Sequence, residues 1–158
     1  MRILGIDPGL GITGYGIIDS KNGNVKLVEA GVIRSSNKGG IAARLSNIYT
    51  ELAELIQEHK PEAIVLEKLY SHYKHPTTAI LMGHARGVIC LIAGEKNLKL
   101  VSHSATHVKK ALTGNGHASK EQVQRMVAHR LNFSKLPRLT DVTDALALAL
   151  AYLHIGGN

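Results

Sequence analysis

The chain has 158 residues, with nineteen Lys and Arg against twelve Asp and Glu, a formal net charge of +7 and one cysteine. That length fits one domain spanning residues 1–158, large enough to bury roughly two-thirds of its unfolded surface. The charge favours a polyanionic partner, either nucleic acid or an acidic membrane surface. A membrane is disfavoured, because no apolar run approaches the ~18–20 residues of a span and no basic amphipathic helix stands out. The first strand starts at Arg2, which leaves no room for a signal peptide. The lone Cys90 excludes disulfides within the chain and fits a reducing cytosol. It lies in the apolar stretch Val88-Ile89-Cys90-Leu91-Ile92, which predicts a packed, inert thiol.

Ile3-Leu4-Gly5-Ile6 reads as a buried strand that delivers Asp7 at its tip. Pro8 cannot continue a central ladder, and Gly9 and Gly11 tolerate the backbone angles of a turn. Asp7 is therefore expected at the lip of a sheet, beside a turn that a phosphate or metal could approach. The plainer alternative is an Asp that merely closes the turn. Residues 13–19 form a second strand with small residues on alternate positions, Asn22-Gly23 is a two-residue hairpin signal, and residues 25–34 form a third strand.

After the loop Ser36-Asn37-Lys38-Gly39-Gly40, apolar residues Ile41, Leu45, Ile48, Tyr49, Leu52, Leu55 and Ile56 recur at helical spacing. This amphipathic helix covers the core and ends near His59, because Pro61 bars its continuation. Ala63-Ile64-Val65-Leu66 is a short continuous apolar run, as expected of a central strand buried on both faces. It ends in Glu67, a carboxylate that is costly there unless paired, bound to a metal or already in solvent. Residues 69–78 are polar and aromatic, an exposed loop holding Tyr70, His72, Lys74 and His75; the His72/His75 spacing makes no convincing zinc site.

A second helix follows over residues 77–95, with Gly83 and Gly87 four apart on one face. Glycine in a helix costs about 1 kcal/mol relative to alanine, so the pair points to close approach by another helix or subunit. Residues 98–102 form a fifth strand and 105–112 a helix, followed by a mobile loop, Thr113-Gly114-Asn115-Gly116-His117. Ser119 caps the next helix, residues 120–130, with Gln122 in the capping-box position. The last helix covers residues 141–153.

That helix opens with Asp141 and Asp144, neighbours on one face at i and i+3. Capping and the helix dipole account for Asp141 but less well for Asp144. The small side chains Ala145, Ala147, Ala149 and Ala151 would let the helix press against the sheet and aim Asp144 at the strand tips. Four acids converging in a basic protein repel one another, and hard divalent cations are the usual remedy; all-oxygen ligands suit Mg²⁺ or Mn²⁺. Two such ions, about 3.5–4 Å apart, form a clamp for in-line phosphoryl displacement.

Ile6-Asp7-Pro8-Gly9 with Gly11, Thr13 and Gly14-Tyr15-Gly16, then Glu67, then Gly83-His84-Ala85-Arg86-Gly87, then Asp141-x-x-Asp144-Ala145-Leu146-Ala147 resembles the bacterial RuvC family of Holliday-junction resolvases, from residue 2 to about 154. The resemblance implies a ribonuclease-H-like α/β fold: a five-stranded mixed sheet, strands one to three antiparallel, with helices on both faces. It implies a cytoplasmic, homodimeric, Mg²⁺-dependent endodeoxyribonuclease of recombination and repair. Such an enzyme binds a four-way DNA junction and nicks two like strands symmetrically, leaving 5′-phosphate and 3′-hydroxyl ends. Its four metal-binding acids fall on Asp7, Glu67, Asp141 and Asp144, with two Mg²⁺ per site. Its lysines fall on Lys109 and Lys120, with Lys110 adjacent to the first. A base-stacking aromatic falls on Tyr70, where relatives often carry Phe. The dimer helix carries Gly83 and Gly87, and a branch-migration motor is an implied partner. Lys68, Lys74 and Arg86 are generic phosphate-binding candidates.

Three other functions compete with this one. An ATP-binding kinase built around Asp7-Pro8-Gly9 needs a second lobe that 158 residues cannot supply. A junction binder without chemistry predicts a missing acid. An RNA-cleaving nuclease of the same fold is the nearest rival, and the Asp141/Asp144 pair and the Tyr70 loop favour DNA.

Overall fold

The computed structural model describes residues 1–35, 39–68, 76–135 and 137–155. Five strands form one sheet: β1 (Arg2–Asp7), β2 (Ile12–Lys21), β3 (Asn24–Arg34), β4 (Ala63–Glu67) and β5 (Lys99–His103). Their order is β3-β2-β1-β4-β5, with β1–β2 and β2–β3 antiparallel and β1–β4 and β4–β5 parallel. The β2–β3 hairpin turns through Asn22 and Gly23, both at positive φ (52° and 78°), the geometry expected of that dipeptide.

Alternation along the central strands sorts the core into two layers. Leu4, Ile6, Ile64 and Leu66 pack with α1 (Gly40–His59) and α2 (Pro76–Glu95). Ile3, Ala63 and Val65 pack with α3 (Ala105–Thr113), α4 (Lys120–Arg130) and α5 (Thr140–Ile155). α1 buries Ile48, Leu52 and Ile56, but Ile41 in its first turn is exposed, so the inward stripe is shorter than the spacing predicts. The helix stops at Lys60, in left-handed conformation with its N–H on the Ile56 carbonyl, just before Pro61. Ser119 and Gln122 form the expected reciprocal cap on α4.

α5 is buried from Val142 to Tyr152. A methyl group at Gly5 would overlap the Ala145 carbonyl and the Ala149 nitrogen; at Gly14 it would overlap the Asp141 carbonyl, and at Gly16 the Leu146 side chain. Gly5 and Gly14 thus meet α5 backbone to backbone, and Gly16 makes room for Leu146. This contact places the start of α5 over the tips of β1 and β4.

Several expectations need correction. Gly9 and Gly11 are not at positive φ. Gly9 is required for space, since a Cβ there would overlap the Ile12 carbonyl. The turn it opens is closed by Thr13, whose hydroxyl donates to the Gly9 carbonyl at 2.7 Å. Cys90 is exposed, because Ile89 and Ile92 take the inward face of α2. Contrary to the expectation that no apolar run is long enough for a span, α2 is long and apolar enough, by length and composition alone, to cross a membrane, although His84 and Arg86 interrupt it. The helix nevertheless packs its buried residues against α1 and the sheet. The loop between α3 and α4 carries hydrogen bonds of its own: Thr113 Oγ1 donates to the Lys109 carbonyl at 2.8 Å, and Asn115 accepts from the backbone N–H groups of His117 and Ala118.

Candidate active site

Parallel pairing of β1 with β4 sets Ile6 beside Leu66, so Asp7 and Glu67 leave the sheet side by side. Both continue the alternation that faces α5. The first turn of α5 adds Asp141 and Asp144 from above. Asp7 feels the other three: burial first, then the charges of Asp144, Glu67 and Asp141, push its carboxyl up to about 7. Burial and Asp144 likewise raise Glu67, against the lowering influence of Lys109 and Lys120.

Lys120, opening α4, donates to Asp144 Oδ2 at 2.7 Å, and this hydrogen bond raises the ammonium above its ordinary value. Glu67, Lys109, Lys120 and Asp144 line a cleft of about 210 Å³ whose remaining wall is apolar, including Val108, Val123 and Leu148. That wall lies beside Glu67 and contributes to the burial that raises its pKa. Lys110 points elsewhere, into a separate hollow with His107 and His154, so Lys109 is the member of the pair that reaches the acids.

The remaining candidates are placed as follows. Arg86 turns its guanidinium to the protein, donating to the Glu67 carbonyl at 2.6 Å and to Ser102 Oγ at 2.7 Å. Lys68 is exposed at the end of β4. Tyr70, Lys74, His72 and His75 lie outside the described residues. A Cβ added at Gly83 or Gly87 would meet nothing outside its own helical turn within 4 Å among the described residues, so no internal helix makes the close approach their spacing predicts. Beside them Ile80, Leu81 and Leu91 are exposed. Composition gave no hint of His103: it sits in register with Glu67 on β5, 8% exposed, its ring 6.4 Å from that of Tyr152. Burial, then His107, lowers its pKa.

The donor set fits a hard divalent cation in chemistry: four carboxylates and a net negative field. As they stand, no three acid, imidazole or thiol groups among the described residues close on one common point. Asp144 is held instead by Lys120.

The raised Asp7 carboxyl has a stability consequence. Below about pH 4 both folded and unfolded chains are protonated at this group, and its burial costs little charge energy. Between that pH and about 7 the unfolded chain releases the proton and the folded one keeps it, so stability falls as pH rises, and the loss is complete above the folded value. Asp7→Asn should therefore raise the melting temperature of metal-free protein at pH 8 by about 3–10 °C and give little gain near pH 4. Thermal scans in chelator at both values check this; equal melting at pH 8 contradicts the strained carboxylate.

The family model described as "Crossover junction endodeoxyribonuclease RuvC" matches residues 3–152. A protein of that description from Rhodopirellula baltica is 45% identical over 156 residues, 99% of this chain and 88% of the relative. One from Caldicellulosiruptor saccharolyticus is 43% identical over 154 residues, 97% of this chain and 92% of the relative. Thermus thermophilus RuvC, solved in complex with a Holliday junction substrate, superposes with a TM-score of 0.93 at 30% identity, covering 99% of this chain and 94% of that one. The fold is thereby ribonuclease-H-like. With the family model matching residues 3–152 and relatives of 43–45% identity spanning nearly the whole chain, the chain belongs to the RuvC family of crossover junction endodeoxyribonucleases.

Proposed function

We propose that this protein is a Holliday-junction resolvase: it binds a four-way DNA junction as a homodimer and hydrolyses one phosphodiester in each of two like strands. The nicks leave 5′-phosphate and 3′-hydroxyl ends, and the setting is recombination and repair in a bacterial cytoplasm. The observation that carries this reading is the gathering of Asp7, Glu67, Asp141 and Asp144 at one end of the sheet in a chain of net charge +7.

Those four side chains would hold Mg²⁺, two ions per site with Mn²⁺ as a substitute. When bound, the ions would supply Lewis-acid stabilisation of the attacking and leaving oxygens. The chain's own groups do the rest. Lys109 and Lys120, on either side of the acids, hold the scissile phosphate and balance its developing charge. The apolar side chains Val108, Val123 and Leu148 beside them lower the local polarity, which strengthens those contacts. Tyr70 stacks on a base near the junction centre, a contact worth about 1–3 kcal/mol, and Lys74 and Lys68 grip neighbouring phosphates.

The exposed face of α2 around Gly83 and Gly87 meets its copy across a two-fold axis, which sets two equivalent sites against two equivalent strands. The space above those glycines and the exposed Ile80, Leu81 and Leu91 support this assignment. A branch-migration motor is the expected further partner on the junction.

A synthetic immobile four-way junction incubated with Mg²⁺ or with chelator tests the reading. Paired, symmetric, metal-dependent nicks are expected, with linear duplex of the same sequence left intact. Equal cutting of the duplex, or cutting in chelator, would overturn it.

A further inference from the structure

Arg86 works from behind the sheet. Val101 packs in the layer of α5, and His103 lies against Tyr152 of the same helix. Ser102, between them, therefore faces the α2 side. Arg86 reaches across from α2 on that side, with Nη1 on the Glu67 carbonyl at 2.6 Å and Nη2 on Ser102 Oγ at 2.7 Å. The Glu67 side chain leaves by the opposite face, towards Asp7 and α5.

The peptide joining Glu67 to Lys68 is held at both ends. Its N–H, that of Lys68, donates to the His103 carbonyl at 2.8 Å, and its C=O accepts from Arg86. A strand's last carbonyl has no ladder partner of its own, so without Arg86 this acceptor would need another donor. A planar peptide pinned at both ends fixes ψ of Glu67, and with it the direction in which the Cα–Cβ bond leaves the strand. Two separate acceptors on neighbouring strands suit a planar guanidinium fork and not a single ammonium.

We propose that Arg86 is a positioning residue: by clamping the β4 tip to β5 from the far face, it aims the Glu67 carboxylate into the acid cluster. This rests on the nuclease reading above. It differs from a phosphate-gripping role, for which the guanidinium would have to leave both present partners.

The test compares wild type, Arg86→Gln, Arg86→Lys and Ser102→Ala in three measurements. These are single-turnover cleavage at saturating junction, junction affinity as a function of salt, and Mn²⁺ binding by the DNA-free protein followed by its EPR signal. Arg86→Gln should lower both the cleavage rate and Mn²⁺ affinity by about 10–100-fold while junction affinity and its salt slope stay at wild-type values. Arg86→Lys should recover only part of the loss, and Ser102→Ala, which removes one of the two bonds, should fall between. A drop in junction affinity with a salt slope smaller by about one and unchanged Mn²⁺ binding would place Arg86 on the DNA and overturn the proposal. Wild-type rate and Mn²⁺ affinity in Arg86→Gln would overturn it equally. Should that variant melt far below wild type, Ser102→Ala decides: weaker Mn²⁺ binding at unchanged melting temperature supports the clamp, and unchanged binding refutes it. If the wild-type protein cuts no junction, the nuclease reading fails by itself, and the Mn²⁺ comparison still judges the clamp.

Discussion

Asp7→Asn is expected to lower junction cleavage by on the order of 10³-fold or more, with junction affinity kept or slightly improved. The carboxylate stands where the charges of Asp144, Glu67 and Asp141 meet, at the lip of the sheet. An amide there keeps the shape and removes the charge that a cation would neutralise. It also takes one negative charge away from an approaching phosphate, so binding has no reason to suffer. Gel-shift titration beside a single-turnover assay separates the two effects. Lost binding with residual cutting would contradict the assignment of Asp7 to the reacting centre.

Lys120→Ala should slow cleavage by about 10²–10³-fold, far more than Lys96→Ala on the exposed turn after α2. Its ammonium is the one cation hydrogen-bonded to a cluster carboxylate among the described residues, at 2.7 Å from Asp144. The pair is about half exposed on the lysine side and a third on the aspartate side (51% and 35%). Such a bridge contributes only about 0–1 kcal/mol to stability, so the melting temperature should scarcely move. Equal rate losses in the two variants would make Lys120 one surface charge among many.

The acids were legible because each ends or begins an element whose apolar pattern is clear. Four buried residues run directly into Glu67, and an i, i+3 pair opens a helix of small side chains. Strand order beyond the first hairpins came through the family likeness, since pairing partners far apart in sequence leave no local mark. What stayed hidden was long-range contact. Nothing near Gly5 or Gly16 announces that α5 will lie against them, and nothing near Gly9 says that its need is space and not left-handed backbone. Cys90 was misplaced for a related reason: an apolar run around a helix shows what is hydrophobic but not which side is covered. Arg86 looked like a surface cation because its two acceptors come from strands before and after its own helix.

The glycine seam under α5 has a consequence for how the reacting groups endure heat. Where main chain rests on main chain, there are no rotamers to melt and no methyl groups to repack. Warming that loosens the outer helices should reach the distance between Asp7 and Asp144 last. Any lineage that replaces Gly5 or Gly14 would have to lift the whole of α5, and the carboxylates it carries, away from the strand ends.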